Sequence, residues 1–413
     1  MQNTDQSIIE TSIAKMGSVA LNESLINIHL RPLFSKTVHS SSAIYLANHS
    51  CGRMLDQTET DVLEGLNVWS NTDEDAWNHW LTEIDAFRLQ TAKLIAANSA
   101  DCIIPKTSAG QGLRAILNCY EKPIKVLCSR DEFNSIDFIL KVYKQRKQIY
   151  LDFIKPSIIA PSDHLLYHDN DLLNALKQKP DLIVISMVFF STGQCLKNLK
   201  QLIAHAHQQR TLIMLDLYHA VGVVPVNVSD LDVDFAIGGS YKYLRGGTGA
   251  AWLYIHPRHL DGIMKTKDTG WFAQQQLFSY QRPETPRLAK GGNAFLESTP
   301  AILPFYQARA GLQFTLNIGV QRLRDYSLKQ QQLIEKLLHQ YNIPFIVTKE
   351  NRGAFIAIPH RQAEALVSRL KASHVICDAR EHLLRICPDL LNTQEELASA
   401  MEKLSLIWKD TNL

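Results

Sequence analysis

The chain has 413 residues, 46% of them hydrophobic, and its 43 basic and 41 acidic side chains leave a net charge of +2. That is enough apolar material for a large core and two or three domains, and it excludes an extended disordered chain. The near-neutral balance, with basic residues dispersed, leaves no footprint for nucleic acid or an anionic membrane, so the expected partner is a small molecule. Seven scattered cysteines, odd in number and without a Cys-x-x-Cys, argue for reduced thiols rather than a disulfide frame or a zinc site. Met1 to Ala20 lacks the apolar stretch of a secretory signal and no run is long enough to span a bilayer, so the expected location is cytoplasmic.

In chain order, short apolar runs predict strands at Cys102 to Ile104, Ile124 to Cys128, Ile149 to Phe153, Leu182 to Met187, Leu212 to Leu215, Asp234 to Ile237 and Ala250 to Ile255. Helical stripes alternate with them: Ile84, Phe87, Thr91 and Leu94 form one, and Leu199, Leu202, Ile203 and Ala206 another. The alternation predicts an α/β fold with one large sheet covered by helices. After Gly291-Gly292 the pattern changes to long helices over Thr299 to Leu316 and Leu323 to His339, then a short α+β tail from Phe345 to Leu413. The expected division is an N-terminal arm over 1–50 that contributes to the small domain, a large α/β domain over 51–298, and a linking helix with that smaller α+β domain over 299–413.

Two positions carry the chemistry. Lys242 lies on a small-residue turn after an apolar run, in Gly239-Ser240-Tyr241-Lys242-Tyr243-Leu244, and Asp216 ends another apolar run one crossover upstream. A pyridoxal phosphate (PLP) enzyme needs both. An ionised carboxylate keeps the pyridine nitrogen protonated, and an amine captures the aldehyde, leaves when substrate arrives and then moves a proton at the substrate α carbon. Taken singly, a loop lysine is most often a solvated surface charge, and a strand-end aspartate a helix cap or turn former. A second constellation is Lys106-Thr107-Ser108-Ala109-Gly110, where a strand end runs through small residues into a helical pattern. Backbone N–H groups at a helix N-terminus, with the Thr107 and Ser108 hydroxyls, make a cup for the cofactor phosphate; a plain capped helix start is the alternative. The spacing fits neither a Walker loop nor a dinucleotide turn.

Further motifs complete a pattern: Tyr45-Leu46-Ala47-Asn48-His49-Ser50-Cys51-Gly52, Glu132-Phe133-Asn134-Ser135, Phe190-Ser191-Thr192-Gly193-Gln194, Asp216-Leu217-Tyr218-His219-Ala220-Val221-Gly222, Ser240-Tyr241-Lys242-Tyr243-Leu244, Gly270-Trp271-Phe272, Glu297-Ser298-Thr299-Pro300 and Leu384-Arg385-Ile386-Cys387-Pro388. Over roughly residues 40 to 400 the chain resembles kynureninase, in the class V group of fold type I PLP-dependent enzymes. The resemblance implies an aspartate aminotransferase-like large domain with a seven-stranded mixed sheet, and a smaller α+β C-terminal domain. It also implies roles. Phe133 would stack on the cofactor ring; Ser186 would touch the ring oxygen or the nearby aspartate; and His219 would support Asp216. Tyr241 would bind the phosphate and relay a proton, Arg385 would hold the substrate α-carboxylate through two hydrogen bonds, and Ser50 would also touch substrate. Trp271, Ser298 and Thr299 would reach the active site of the other subunit, so the working unit would be a homodimer with sites at the interface. The chain departs from the family pattern at Ala273-Gln274 and at Thr299, near where the aromatic part of the substrate would bind.

The implied activity is hydrolytic cleavage of the β–γ carbon–carbon bond of L-kynurenine or a related amino acid, giving alanine and an aromatic acid. Another class V activity remains open: aminotransferase, epimerase, or a β-lyase of the cysteine desulfurase or selenocysteine lyase kind, for which Cys377 and Cys387 are the thiol candidates. A cofactor-binding protein without catalysis would not need Lys242, Asp216, Thr107 and Arg385 together. The segment Trp69 to Trp80 reads as a tryptophan-rich helix packed on the core, or as a cover over an aromatic substrate.

Overall fold

In the computed structural model, which describes residues 7–71, 76–156, 158–160, 164–346, 348 and 351–411, the seven expected strands form one sheet. They are β1 (Ile103–Lys106), β2 (Ile124–Ser129), β3 (Ile149–Ile154), β4 (Leu182–Ser186), β5 (Leu212–Asp216), β6 (Phe235–Gly239) and β7 (Ala251–Ile255). The order across the sheet is β1-β7-β6-β5-β4-β2-β3, and β7 alone runs against the rest, so the sheet is mixed. The central strands are unbroken apolar runs because helices cover both faces: every residue of β4 and of β6 is buried. The edge strand β3 instead alternates, with Ile149 and Leu151 buried and Tyr150 and Asp152 exposed.

This topology places the site. β1, β2, β4, β5 and β6 all point their C-terminal ends at one rim of the sheet, where open α/β sheets bind ligands. Antiparallel β7 closes the gap between β6 and β1, pairing Ala251 with both Gly239 and Lys106. The loops after β1 and β6 therefore rise from the same rim, two strand spacings apart.

Beyond the sheet, helices Leu303–Ile318 and Val320–Gln340 take the place of the two long helices expected. The first starts four residues later than the pattern predicted. Pro300 disfavours a helical Thr299, whereas Pro304 is tolerated in the first turn, where its missing N–H costs nothing. The tail forms β8 (Ile356–Pro359), β9 (Asp378–Arg380) and β10 (Leu383–Ile386) in the order β8-β10-β9, all antiparallel. It buries a second core that includes Ile334, Leu366, Leu384 and Leu404. The N-terminal segment belongs to a third core, with Ile9, Ile13 and Phe34 against Phe314 and Leu390, and Ile44–Tyr45 makes a parallel ladder with Val375–Ile376. Asp389 links these parts: fully buried, it accepts two hydrogen bonds from Arg245 at 2.7 and 2.9 Å and one from Arg53 at 2.9 Å.

Candidate active site

Lys242 and Asp216 lie at the same rim and interact electrostatically. The Lys242 side chain is only 5% exposed, and its Nζ lies 2.6 Å from Nε2 of His219. Burial lowers its pKa to about 7 against the pull of the Asp216 carboxylate, with Arg385 pushing further down. The amine is thus half neutral at physiological pH, the form that attacks an aldehyde. Three rings surround it, with the centroids of Phe133, Tyr218 and Tyr241 at 5.6, 5.5 and 5.7 Å from Nζ.

Asp216 ends β5 and is buried, which raises its pKa, while the Tyr218 backbone N–H donates to it at 2.9 Å and Lys242 favours its ionised form. That amide is its one hydrogen bond among the described residues, so the remaining carboxylate valence is available to a ring nitrogen. His219 is buried, and its pKa is held well below the usual value by burial first and then by Lys242 and Arg385. Its Nδ1 has no partner among the described residues. The geometry pairs His219 with the lysine and not with Asp216, the contact expected of it.

Ser186 is the cross-strand neighbour of Asp216, but its hydroxyl turns to Glu132, as does its backbone N–H at 2.9 Å. Glu132 also accepts from Ser129 at 2.6 Å and is fully enclosed; burial pushes its pKa up to about 8. Its neighbour Asp131 is raised to about 7 by burial and leaves Oδ2 without a partner among the described residues. Sequence reasoning assigned neither acid a role.

At the phosphate end, Ser108 caps helix Ala109–Leu117, its hydroxyl accepting from the Gln111 N–H at 3.3 Å. The N–H and hydroxyl of Thr107 both donate to Oε1 of Gln111, at 2.7 and 2.9 Å. A neutral oxygen is thus gathered where an anionic one would be held more strongly, by donors at a helix N-terminus. Lys106 borders the same cavity, but its ammonium is engaged elsewhere, buried against Glu297 at 2.5 Å and the Phe295 carbonyl at 3.0 Å.

Arg385, on β10, is 1% exposed. Its Nε and one terminal nitrogen donate to Asp378 at 2.9 and 2.6 Å, and the other to the Phe190 carbonyl at 2.6 Å. Asp378 also contacts His49 at 2.8 Å and Arg380 at 3.4 Å. Burial opposes its ionisation, yet the His49 and Arg385 contacts hold its carboxyl well below the usual range. His49 is itself neutral, pushed down to about 4 by burial and by Arg385. Two guanidinium groups and one carboxylate leave a single positive charge, the balance that suits one substrate carboxylate. The Phe190 ring lies 4.6 Å from the Arg385 guanidinium and 5.2 Å from Phe133, so it bridges the carboxylate end and the cofactor end.

The turn carrying Ser50 packs against the lysine loop. The Gly52 N–H donates to the Tyr241 carbonyl at 2.9 Å, and a Cβ on Gly52 would sit 1.9 Å from the Lys242 carbonyl oxygen, so only glycine allows this approach. Trp271, Ser298 and Thr299 lie beside the Thr107 cup. The Trp271 indole donates to the Thr299 hydroxyl at 3.0 Å, and Ser298 and Thr299 line a cavity of about 450 Å³ together with Lys106, Thr107 and Gln111. Trp77 packs edge-on against Trp80 and Trp271, with Phe272 and Phe278 completing an aromatic cluster; residues 72–75 of the Trp69 to Trp80 segment lie outside the described residues.

The residues present fit PLP: a carboxylate with a free valence, an amine poised near neutrality, aromatic rings about that amine, and an oxygen-binding cup two strands away. When bound there, the cofactor supplies an electron sink for bonds at the substrate α carbon.

Residues 53–387 match the family described as Aminotransferase class-V. Curated relatives include kynureninase of Bacillus cereus, 28% identical over 385 residues, and kynureninase of Shouchella clausii, 28% identical over 389 residues; each match covers 89% of this chain and 89% of the relative. Among solved structures, a C-DES mutant with glycine covalently linked to its PLP cofactor matches with a TM-score of 0.80 at 18% identity, over 91% of this chain and 98% of that one. A cysteine desulfurase from Thermococcus onnurineus matches with a TM-score of 0.76 at 16% identity and the same coverage. The chain therefore belongs to the aminotransferase class V family, an enzyme of PLP fold type I whose cofactor is pyridoxal 5'-phosphate.

Proposed function

We propose that the protein is a kynureninase-type hydrolase. Water is added across the β–γ bond of L-kynurenine or a related amino acid: hydroxide joins the side-chain carbonyl carbon, which leaves as an aromatic acid, and a proton joins Cβ to give alanine. Arg385 holds the α-carboxylate, Lys242 moves the proton at the α carbon, and Tyr241 relays a proton during cleavage. The observation that carries the reading is the joining of Lys242 and Arg385 by one continuous aromatic lining, Phe133 and Phe190, which suits an amino acid held by its α-carboxylate with its α carbon beside the amine. The curated kynureninases support it through similarity along most of their length.

In this reading the working unit is a homodimer in which Trp271, Ser298 and Thr299 complete the partner's site and Ser50 touches substrate. The β-lyase alternative draws support from the shared fold of the cysteine desulfurases. Its thiol candidates are both buried here, and burial raises Cys377 to about 12 and Cys387 higher still, which suppresses the nucleophilic thiolate.

Incubation with L-kynurenine and 3-hydroxykynurenine is the test, following alanine and the aromatic acid. Release of both, lost in Lys242→Ala, supports hydrolysis. Turnover that requires a keto acid, or sulfide released from cysteine, refutes it in favour of another class V reaction.

A further inference from the structure

Tyr218 belongs to none of the roles assigned above, yet it borders the site on three sides. Its backbone N–H holds Asp216, its ring centroid lies 5.5 Å from the Lys242 amine, and its ring packs 5.2 Å from that of Tyr241. The phenol reaches across β6: a Cβ built on Gly239 would lie 1.9 Å from the Tyr218 hydroxyl oxygen, so the glycine that ends this strand makes room for it. That hydroxyl has no hydrogen-bond partner among the described residues, although most of the ring is enclosed.

Sheet register shows which end of the cofactor the hydroxyl faces. Asp216, which meets the ring nitrogen, pairs with Ile237. Gly239 lies two residues further along β6 and, through Ala251, shares a row with Lys106, the residue before Thr107. At about 4.8 Å per strand, that row sets the backbone of Gly239, over which the phenol lies, roughly 10 Å from that of Lys106. The phenol is thus displaced from Asp216 toward Thr107 both along and across the strands. Burial, with Tyr241 and Asp216 nearby, raises the Tyr218 pKa, so the hydroxyl keeps its proton as a donor.

We propose that Tyr218 is a cofactor-binding residue whose hydroxyl donates a hydrogen bond to the phosphate of PLP, on the side facing the Thr107 cup. Tyr218 and Tyr241 then act as a pair of phenols, and Gly239 is required because it lets the first lie flat across β6. The inference concerns cofactor retention and holds whichever substrate the enzyme cleaves.

The test is Tyr218→Phe, which keeps the ring packed over Gly239, with apoprotein titrated against two probes, pyridoxal 5'-phosphate and pyridoxal. Loss of one hydrogen bond to a charged group should raise the dissociation constant of the phosphorylated probe by roughly 10- to 100-fold. Pyridoxal, which lacks the phosphate, should bind the variant and the wild type alike, and its unchanged binding also reports an intact site. Equal affinity of both proteins for the phosphorylated probe would overturn the proposal. An equal loss for both probes would do the same, because it would place the phenol against the ring or the fold instead.

Discussion

The depressed pKa of Lys242 makes a quantitative prediction about how the apoprotein captures its cofactor. An ordinary lysine near 10.5 is neutral at pH 7 in only about 3 molecules in 10,000, so a group near 7 offers on the order of a thousandfold more reactive amine. Mixing apoprotein with PLP between pH 5.5 and 9, and following visible absorbance, should give a capture rate that rises about tenfold per pH unit below 7 and then flattens. Asp216→Asn removes the carboxylate that favours the charged amine, so the bend should move to lower pH. Stability follows with a definite sign. Between about 7 and 10.5 the unfolded chain keeps the Lys242 proton while the folded chain has lost it, so apoprotein stability from this group rises with pH across that window. Below 7 both states hold the proton and the cost of the buried ammonium is complete. A capture rate still climbing tenfold per unit at pH 9 would show that burial does not lower this lysine, and the account of the site as an amine poised at neutrality would fail.

Other perturbations probe separate parts of the chain. Glu132, raised to about 8, contributes stability with the opposite slope: the folded chain binds the extra proton between about 4.5 and 8, so this contribution falls as pH rises through that range. Glu132→Gln should abolish that slope in urea melts taken at several pH values; an unaltered slope would assign it to other groups. Arg385→Lys retains a charge beside Asp378 but loses the planar fork, so KM for the amino-acid substrate should rise by roughly 10- to 100-fold while the visible cofactor band is unchanged. A KM within twofold of wild type would remove Arg385 from substrate binding. Asp389→Ala strands the buried guanidinium of Arg245 and the partly buried one of Arg53, and should destabilise the fold by about 3 to 5 kcal/mol in denaturant titration. A loss under 1 kcal/mol would mean that the linkage between the N-terminal segment, the lysine loop and the tail is not what holds them together.

What could be seen in the sequence follows from how each feature is encoded. The seven strands are fully or half-buried apolar runs bounded by turn residues, and each was found with its ends displaced by no more than two residues. Their order and the reversed β7 are set by long-range pairing, which no local pattern reports; only the family resemblance implied a mixed sheet. Lys242, Asp216 and Thr107 were visible because strand ends followed by small residues mark the rim of such a sheet. Lys106 was grouped with the cup through its neighbours, yet its ammonium is taken by Glu297 and the Phe295 carbonyl, partners 191 and 189 residues away that no local pattern reports.

The network behind Arg385 was missed for a different reason, and that reason is itself structural. Asp378 and His49 are ordinary residues at unremarkable positions, 329 residues apart, and they meet because Ile44–Tyr45 forms a ladder with Val375–Ile376 and Ala47 bridges to Cys387. One signal was nevertheless present. The tail reads as two short strands around Glu381-His382, and closing them as a hairpin sets Asp378 directly opposite Arg385, the register observed between β9 and β10. Opposite charges facing each other across a hairpin stabilise it and orient each other. The same contact fixes the guanidinium, with another of its nitrogens on the Phe190 carbonyl, so a carboxylate bound there as proposed would meet a group already locked in place. A preset arginine loses little further freedom on binding, so in the proposed reading its contribution would go to orienting the substrate α carbon against Lys242 and not to ordering its own side chain.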